Sequence, residues 1–160
     1  KILNKLTNTY PKYNLLLNDV CESIKIISIG QFNDLYSKDD SNLKTIPLFT
    51  IAFVTTYILS GGQISQLDSI KQASIKFANF FQIADDLNDY KEDLENNSYN
   101  LVIEKGYDYV FKLFESESSD FLTLLNIVKI DTHIYQQIIQ YLKGKNNNKV
   151  NKVNKVNKQN

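Results

Sequence analysis

Apolar residues recur every three to four positions along most of the chain, which predicts amphipathic helices rather than strands. The first predicted helix runs from Tyr13 to Tyr36, and the second runs from Thr45, as its N-cap, to about Ser60. Gly61 and Gly62 follow directly and are expected to end the second helix. The first helix places these apolar residues on one face: Leu16, Leu17, Val20, Ile24, Ile27 and Phe32.

A longer central helix follows. Ser65 and Asp68 are similar to a capping box that would start it, and a break is expected after Asp93. Apolar residues at helical spacing predict its core face, and these are Leu67, Ile70, Ala73, Phe77, Phe81 and Ala84.

Beyond this break, Leu101 to Ile103 is expected to start a short helix or turn that Gly106 ends. Three further amphipathic helices are predicted, with Thr132 capping the last of them: Tyr109 to Phe114, Phe121 to Ile130 and Ile134 to Leu142. The chain therefore divides into an all-α domain over 1–143 and an Asn/Lys-rich tail over 144–160, which repeats Asn-Lys-Val and is expected to be disordered.

Composition adds two limits on function. The 160 residues are 42% apolar and carry no net charge, because five lysines beyond Gly144 balance an excess of acids in the rest of the chain. The positive charge of this tail could attract nucleic acid weakly but without sequence specificity. No specific nucleic-acid partner is therefore expected. All eighteen cations are lysine, which excludes bidentate recognition of phosphate by arginine.

Single residues and segments give little chemistry. Cys21 has no cysteine partner, so we expect a buried thiol and a reducing, cytoplasmic location. His133 is the only histidine, which makes a zinc site implausible and a structural role the better interpretation. The longest mainly apolar run, Ile46 to Leu59, is shorter than the ~20 residues of a membrane-spanning helix, and no transmembrane segment is expected.

The acidic half of the central helix is the strongest candidate site. Gln82, Asp85, Asp89 and Asp93 lie three or four residues apart and share one helical stripe, with Asp86 beside it. Carboxylate oxygens suit Mg²⁺, which completes its coordination with waters and phosphate oxygens. The pattern therefore predicts a diphosphate site. The alternative is a solvated helix face that happens to be acidic.

A second candidate lies at the start of the helix that begins near Thr45. Free amide groups and the positive end of the helix dipole attract anions there, and Lys44 adds a point charge. Surface lysines beside helix starts are common, so an ordinary solvated lysine is the alternative. Gly30, inside the first helix, indicates either close packing or a site.

Three segments resemble motifs of the trans-isoprenyl diphosphate synthases, the polyprenyl synthetase family, in the family's order. They are Gly30-Gln31-Phe32-Asn33-Asp34-Leu35, Lys44-Thr45-Ile46-Pro47-Leu48-Phe49 and Phe81-Gln82-Ile83-Ala84-Asp85-Asp86-Leu87-Asn88-Asp89. The last resembles the family's second aspartate-rich motif. The resemblance covers roughly Gly30 to Gly106.

The resemblance implies an all-α bundle of the isoprenoid synthase type that transfers a prenyl group from an allylic diphosphate to isopentenyl diphosphate. It implies Mg²⁺ as cofactor and a homodimer or heterodimer as the assembly. The residues it assigns are metal ligands Asp85, Asp86 and Asp89, catalytic residues Lys44, Thr45 and Gln82, and substrate-binding residues Lys44, Gln31 and Gln82.

Two departures from the family pattern leave the activity open. The family's first aspartate-rich motif would precede Lys1, and Asn96-Asn97 stands where a lysine is common. One hypothesis is therefore the C-terminal part of a working prenyltransferase. The alternative is a non-catalytic helical subunit, or a degenerate relative that retains the fold.

Overall fold

A computed structural model of the chain describes residues 12–36 and 44–156, with side chains over 17–33 and 44–144. Every regular element in these ranges is a helix, which confirms the all-α prediction. None of the described helices is long and apolar enough to cross a membrane. The elements are α1 (Lys12–Tyr36), α2 (Thr45–Leu59), a 3-10 turn (Ile64–Gln66), α3 (Leu67–Asn96), α4 (Leu101–Lys105), α5 (Tyr107–Ile127) and α6 (His133–Val156).

The chain forms two compact units that divide after Ala78, a point inside α3. In the first unit, α2 packs on the start of α3 through aromatic rings. The Phe77 ring lies 4.8 Å from that of Phe49 and 5.4 Å from that of Phe53. Lys71 of α3 also donates to Asp19 of α1 at 3.0 Å, in a partly exposed ion pair. Aromatic rings therefore contribute to the contact between α2 and α3 in this unit.

Two glycines end α2 as predicted. Gly61 has a φ of 87°, a left-handed conformation that favours glycine, and the Gly62 amide donates back to the Tyr57 carbonyl at 2.9 Å. A Cβ at Gly62 would meet the ring of Tyr57. The backbone turn and the close ring contact both require residues without a side chain here.

The second unit is built around Phe80, which is completely buried. Its ring lies 5.9 Å from that of Phe114 and 5.5 Å from that of Phe121 on α5. The sequence prediction that Phe81 faces the core is wrong, because this side chain is 43% exposed. The buried apolar residues of α3 are Leu67, Ile70, Ala73, Phe77, Ala78, Phe80, Ile83, Ala84 and Leu87.

A single helix, α5, replaces the two shorter helices predicted from Tyr109 to Phe114 and from Phe121 to Ile130. The polar run between the two predicted helices is helical as well, and two of its side chains have partners on other helices. Glu117 accepts from Asn79 at 2.9 Å, and Glu115 accepts from Lys143 at 2.9 Å. These contacts satisfy the polar residues without interrupting the helix.

The start of the central helix differs slightly from its prediction. Ser65 lies within the 3-10 turn, and α3 begins at Leu67 and continues past Asp93 to Asn96. Asn97 then has a φ of 52°, which asparagine tolerates better than most residues. The break expected after Asp93 is therefore displaced by three residues.

Other local predictions are tested by the described residues. The short helix from Leu101 ends at Gly106, which has a φ of 85°. The last helix follows Thr132, but the main-chain amide of its first residue, His133, donates to Oδ1 of Asp131 at 2.9 Å. Cys21 is exposed, so its predicted burial is wrong, and His133 is exposed. The last helix continues to Val156, beyond Leu142, where the sequence predicts its end. The division into 1–143 and a disordered tail over 144–160 stays a prediction.

Candidate active site on the central helix

The acidic side chains of the second half of α3 lie in the second unit, and none of them is among the fully buried residues of the helix. Ile83, Ala84 and Leu87 are buried, and their burial fixes the rotation of the helix about its axis. Asp85 is consequently exposed, whereas Asp86 and Asp89 are half-buried. Together with the half-buried Asp93, these residues are called the acidic stripe.

Asp86 is held by the segment that follows α3. One of its carboxylate oxygens, Oδ2, accepts a hydrogen bond of 3.1 Å from the main-chain amide of Leu101, the first residue of α4. This bond satisfies one of the amides that every helix start leaves without an intrahelical partner. Asp86 therefore has a structural role that its position in the motif does not reveal.

Asn100 is the second link between α4 and the acidic stripe. This side chain is 1% exposed, and its Nδ2 donates to the main-chain oxygen of Asp86 at 3.0 Å and to Oδ2 of Asp93 at 2.8 Å. Its Oδ1 accepts from the amide of Val102 at 2.9 Å, as an N-cap does. The sequence analysis missed this residue, although an asparagine just before an apolar helical segment is a recognisable cap signal.

The environment of Asp86 changes its acidity. Burial raises the pKa of Asp86 above its ordinary 3.8, the hydrogen bond from Leu101 lowers it by a smaller amount, and the charges of Asp93, Asp85 and Asp89 raise it further. The net effect favours the protonated acid in the folded chain. A bound cation would offset this penalty on the charged carboxylate, since an opposite charge stabilises it.

A pH series on Asp86→Asn tests whether folding raises the pKa of Asp86. A carboxyl whose pKa is raised by folding contributes stability below pH 3.8, and this contribution is lost as pH rises through the folded-state pKa. Asparagine does not titrate, and its oxygen can still accept from Leu101. The free energy of unfolding of the variant, minus that of the wild type, should therefore increase from about pH 4 to about pH 7. Urea denaturation without metal measures it, and a difference that stays constant with pH would contradict the account.

Gln82 lies one helical turn before Asp85 and Asp86. The residue is half-buried, but its Nε2 atom is fully buried and has no hydrogen-bond partner within the described part of the chain. A buried donor left without a partner costs about 1–3 kcal/mol. An oxygen of a bound ligand is one partner that would remove this cost.

The other predicted site residues belong to the first unit. Lys44 is the residue before α2 and is half-buried, and Thr45 is the first residue of the helix. The prediction that Thr45 is the N-cap is wrong: Lys44 occupies that position, and its side chain makes no capping hydrogen bond. Gln31 is exposed on α1, beside the buried Gly30. The structure thus brings Gln82 and the three candidate metal ligands together on α3 of the second unit. Lys44, Thr45 and Gln31 belong to the first unit.

The donor set on α3 fits magnesium only in an open form of coordination. Among the described residues, no group of three or more His, Cys, Asp or Glu side chains is arranged to hold a metal ion. Mg²⁺ is commonly bound by one or two carboxylates, with waters and substrate phosphates as its other ligands. Asp85 is exposed and Asp89 is half-buried one helical turn away, so the two carboxylates match this mode of binding.

Comparison with known proteins bears on this site. The chain is 33% identical over 126 residues to the trans-prenyltransferases of two African swine fever virus isolates, Pig/Kenya/KEN-50/1950 and Tick/Malawi/Lil 20-1/1983. The chain is similar to trans-prenyltransferases. Each match covers 79% of this chain and 37% of the relative, so the chain spans little more than a third of the trans-prenyltransferases that it matches.

A third trans-prenyltransferase, from African swine fever virus strain Badajoz 1971 Vero-adapted, is 32% identical over the same number of residues and with the same coverage. No protein-family profile matches the chain, and no solved structure matches it. All three relatives are named trans-prenyltransferases, which is the kind of protein that the sequence motifs resemble.

Proposed function

We propose that this chain is part of a Mg²⁺-dependent prenyltransferase that joins an allylic diphosphate to isopentenyl diphosphate in isoprenoid biosynthesis. Its similarity to trans-prenyltransferases supports the reaction class. The three sequence motifs, which include the acidic residues of α3, support the substrate class. Asp85, Asp86 and Asp89 are the proposed metal ligands.

The buried side-chain amide of Gln82 supports the proposal independently of the similarity to known proteins. Its Nε2 lacks a partner among the described residues, although it lies one turn from two carboxylates of the stripe. A diphosphate oxygen held by a cation beside those carboxylates would accept this hydrogen bond. The cost of burying the donor would then be recovered when the substrate binds.

The proposed roles of the remaining residues follow from their chemistry. Magnesium would supply the positive charge that stabilises a leaving diphosphate. Gln82 would orient the diphosphate by donating to it. Lys44 keeps the phosphate-binding role that the resemblance implies, and the amides at the start of its own helix, α2, suit an anion as well. Thr45 and Gln31 keep the substrate-contacting roles that the resemblance implies.

Replacing Gln82 with methionine tests the role of the buried amide. Methionine has a similar length and adds no hydrogen-bonding group, so the ligand-free chain should be as stable as the wild type or up to about 1–3 kcal/mol more stable. Binding of a short allylic diphosphate with Mg²⁺, measured by calorimetry, should weaken by roughly tenfold, the equivalent of one hydrogen bond to a charged group. Gln72→Met, at an exposed position of the same helix, is the control. Equal affinity in Gln82→Met and wild type would remove this support.

A second candidate function is a non-catalytic helical subunit that pairs with a competent partner. The absence of a three-ligand metal group among the described residues favours it, because a second set of carboxylates must then come from elsewhere. Size-exclusion chromatography with light scattering separates the two. A folded, strictly monomeric particle would contradict the subunit role, whereas a homodimer or heterodimer is what both proposals allow.

A cytoplasmic location remains part of the proposal. It rests on the single cysteine, which cannot form an internal disulfide.

A further inference from the structure

Asn100 connects the proposed metal ligands to the start of α4. Its single amide nitrogen donates to two acceptors on α3, the main-chain oxygen of Asp86 and the carboxylate of Asp93, at 3.0 and 2.8 Å. Next to it, the Leu101 amide donates to Oδ2 of Asp86 at 3.1 Å. Three hydrogen bonds thus join two consecutive residues, Asn100 and Leu101, to two residues of α3, Asp86 and Asp93, that lie about two helical turns apart.

The burial of Asn100 makes this arrangement rigid. The side chain is 1% exposed, so both its oxygen and its nitrogen must find partners inside the protein. They do, since Oδ1 accepts from Val102 and Nδ2 donates to α3. An amide satisfied at both ends in a buried position has one orientation, and the groups bonded to it are held with it.

These hydrogen bonds give the carboxylates of the acidic stripe different roles. Asp93 is engaged by Asn100, and Oδ2 of Asp86 is engaged by Leu101. Ligation by Asp86 therefore falls to its other oxygen, Oδ1, whose direction is set by the hydrogen bond at Oδ2. Asp85 and Asp89 are the other two proposed ligands.

We propose that Asn100 is a positioning residue for the proposed metal and diphosphate site, which it serves by fixing Asp86 and withdrawing Asp93. The inference rests on the proposed function, because it concerns the same site. Asn100 touches neither metal nor substrate in this account. Groups that orient metal ligands commonly change metal affinity by 10–100-fold when removed, although they make no bond to the metal.

Asn100→Ser separates this role from helix capping. Serine is as good an N-cap as asparagine, so the hydrogen bond to the Val102 amide can be replaced. Its side chain is too short to reach Asp93 and the main chain of Asp86 together. The variant should keep a wild-type melting temperature within a few degrees while its dissociation constant for Mg²⁺ with inorganic diphosphate rises roughly 10–100-fold.

Two further variants make the comparison decisive. Asn100→Asp keeps the size and the capping oxygen but replaces the donor with a charged acceptor beside Asp93, and should weaken binding at least as much. Asp131→Ala removes the side chain that accepts from His133 at the start of α6, and should lower the melting temperature without changing the dissociation constant. It controls for loss of stability alone.

The experiment is calorimetric titration of the whole protein with Mg²⁺ and inorganic diphosphate, together with amide hydrogen exchange of Leu101. Faster exchange at Leu101 and weaker binding in Asn100→Ser are the expected result. If the wild type binds and Asn100→Ser binds equally, the positioning role is overturned and the proposed function stands. If the wild type binds no diphosphate, both are overturned, and the exchange rates then report only a structural cap.

Discussion

Replacing Asp85 and Asp89 together with asparagine is expected to abolish the stabilisation of the chain by Mg²⁺ and diphosphate. The two residues lie one helical turn apart on α3, one exposed and the other half-buried, and both can approach one hydrated cation. A ligand that binds only the folded state stabilises it by about 2.7 kcal/mol at a hundredfold excess over its dissociation constant. Thermal melts with and without ligand should show this gain in the wild type and none in the double variant.

Without ligand, the same double variant should be as stable as the wild type or slightly more so. Like charges at this spacing destabilise a helix by roughly 0.2–0.5 kcal/mol per pair, and the substitution removes them. Glu92→Gln with Glu95→Gln is the matched control, because both residues are exposed on the same helix and the change in charge is equal. An equal ligand-induced shift in all three proteins would make the acidic stripe only a solvated face.

The second large effect is expected at Phe80. This ring is fully buried in the second unit, between Phe114 and Phe121. Truncating a buried phenylalanine to alanine removes its contacts and leaves a cavity, which typically costs about 3–5 kcal/mol. A loss of this size is a large part of the ~5–15 kcal/mol by which small domains are stable. Urea denaturation of Phe80→Ala should show it.

Phe81→Ala is the matched control for this prediction. The substitution is chemically identical and one residue away, but Phe81 is 43% exposed, so it should lose markedly less stability. The order of the two variants is the decisive result. If Phe81→Ala were the more damaging one, the rotation of α3 described here would be wrong, and the acidic stripe would face another direction.

The sequence predicts the helices well where the signals are local. Glycines at 61 and 106 end α2 and α4 because the left-handed backbone there favours glycine, and this requirement is visible in one residue. The face of a helix is harder to predict. Phe80 and Phe81 are adjacent and equally apolar, and only the rings of Phe114 and Phe121, more than thirty residues away in the chain, decide which of them is buried.

The helix α5 shows the same dependence on distant partners. The sequence pattern predicts two helices here, yet the polar residues between them are helical, and Glu115 and Glu117 accept hydrogen bonds from Lys143 and Asn79. Neither partner can be inferred from the spacing within the segment.

The candidate site follows a similar division. The carboxylates and Gln82 are recognisable in the sequence because one helix carries them at fixed spacing. The hydrogen bonds from Asn100 to Asp86 and Asp93 cannot be recognised in this way, because they depend on how the chain returns to α3 after Asn97. The roles of Lys44, Thr45 and Gln31 stay predictions.

The most direct test of the proposed function is a prenyl-transfer assay of the protein with a short allylic diphosphate, isopentenyl diphosphate and Mg²⁺. We expect a longer prenyl diphosphate to form, and its formation to stop when the metal is chelated or when Asp85 and Asp89 are replaced together with asparagine. A folded protein that forms no product, alone or with a partner subunit, would contradict the proposal. Product formation unchanged by the double substitution would contradict the role given to the acidic stripe.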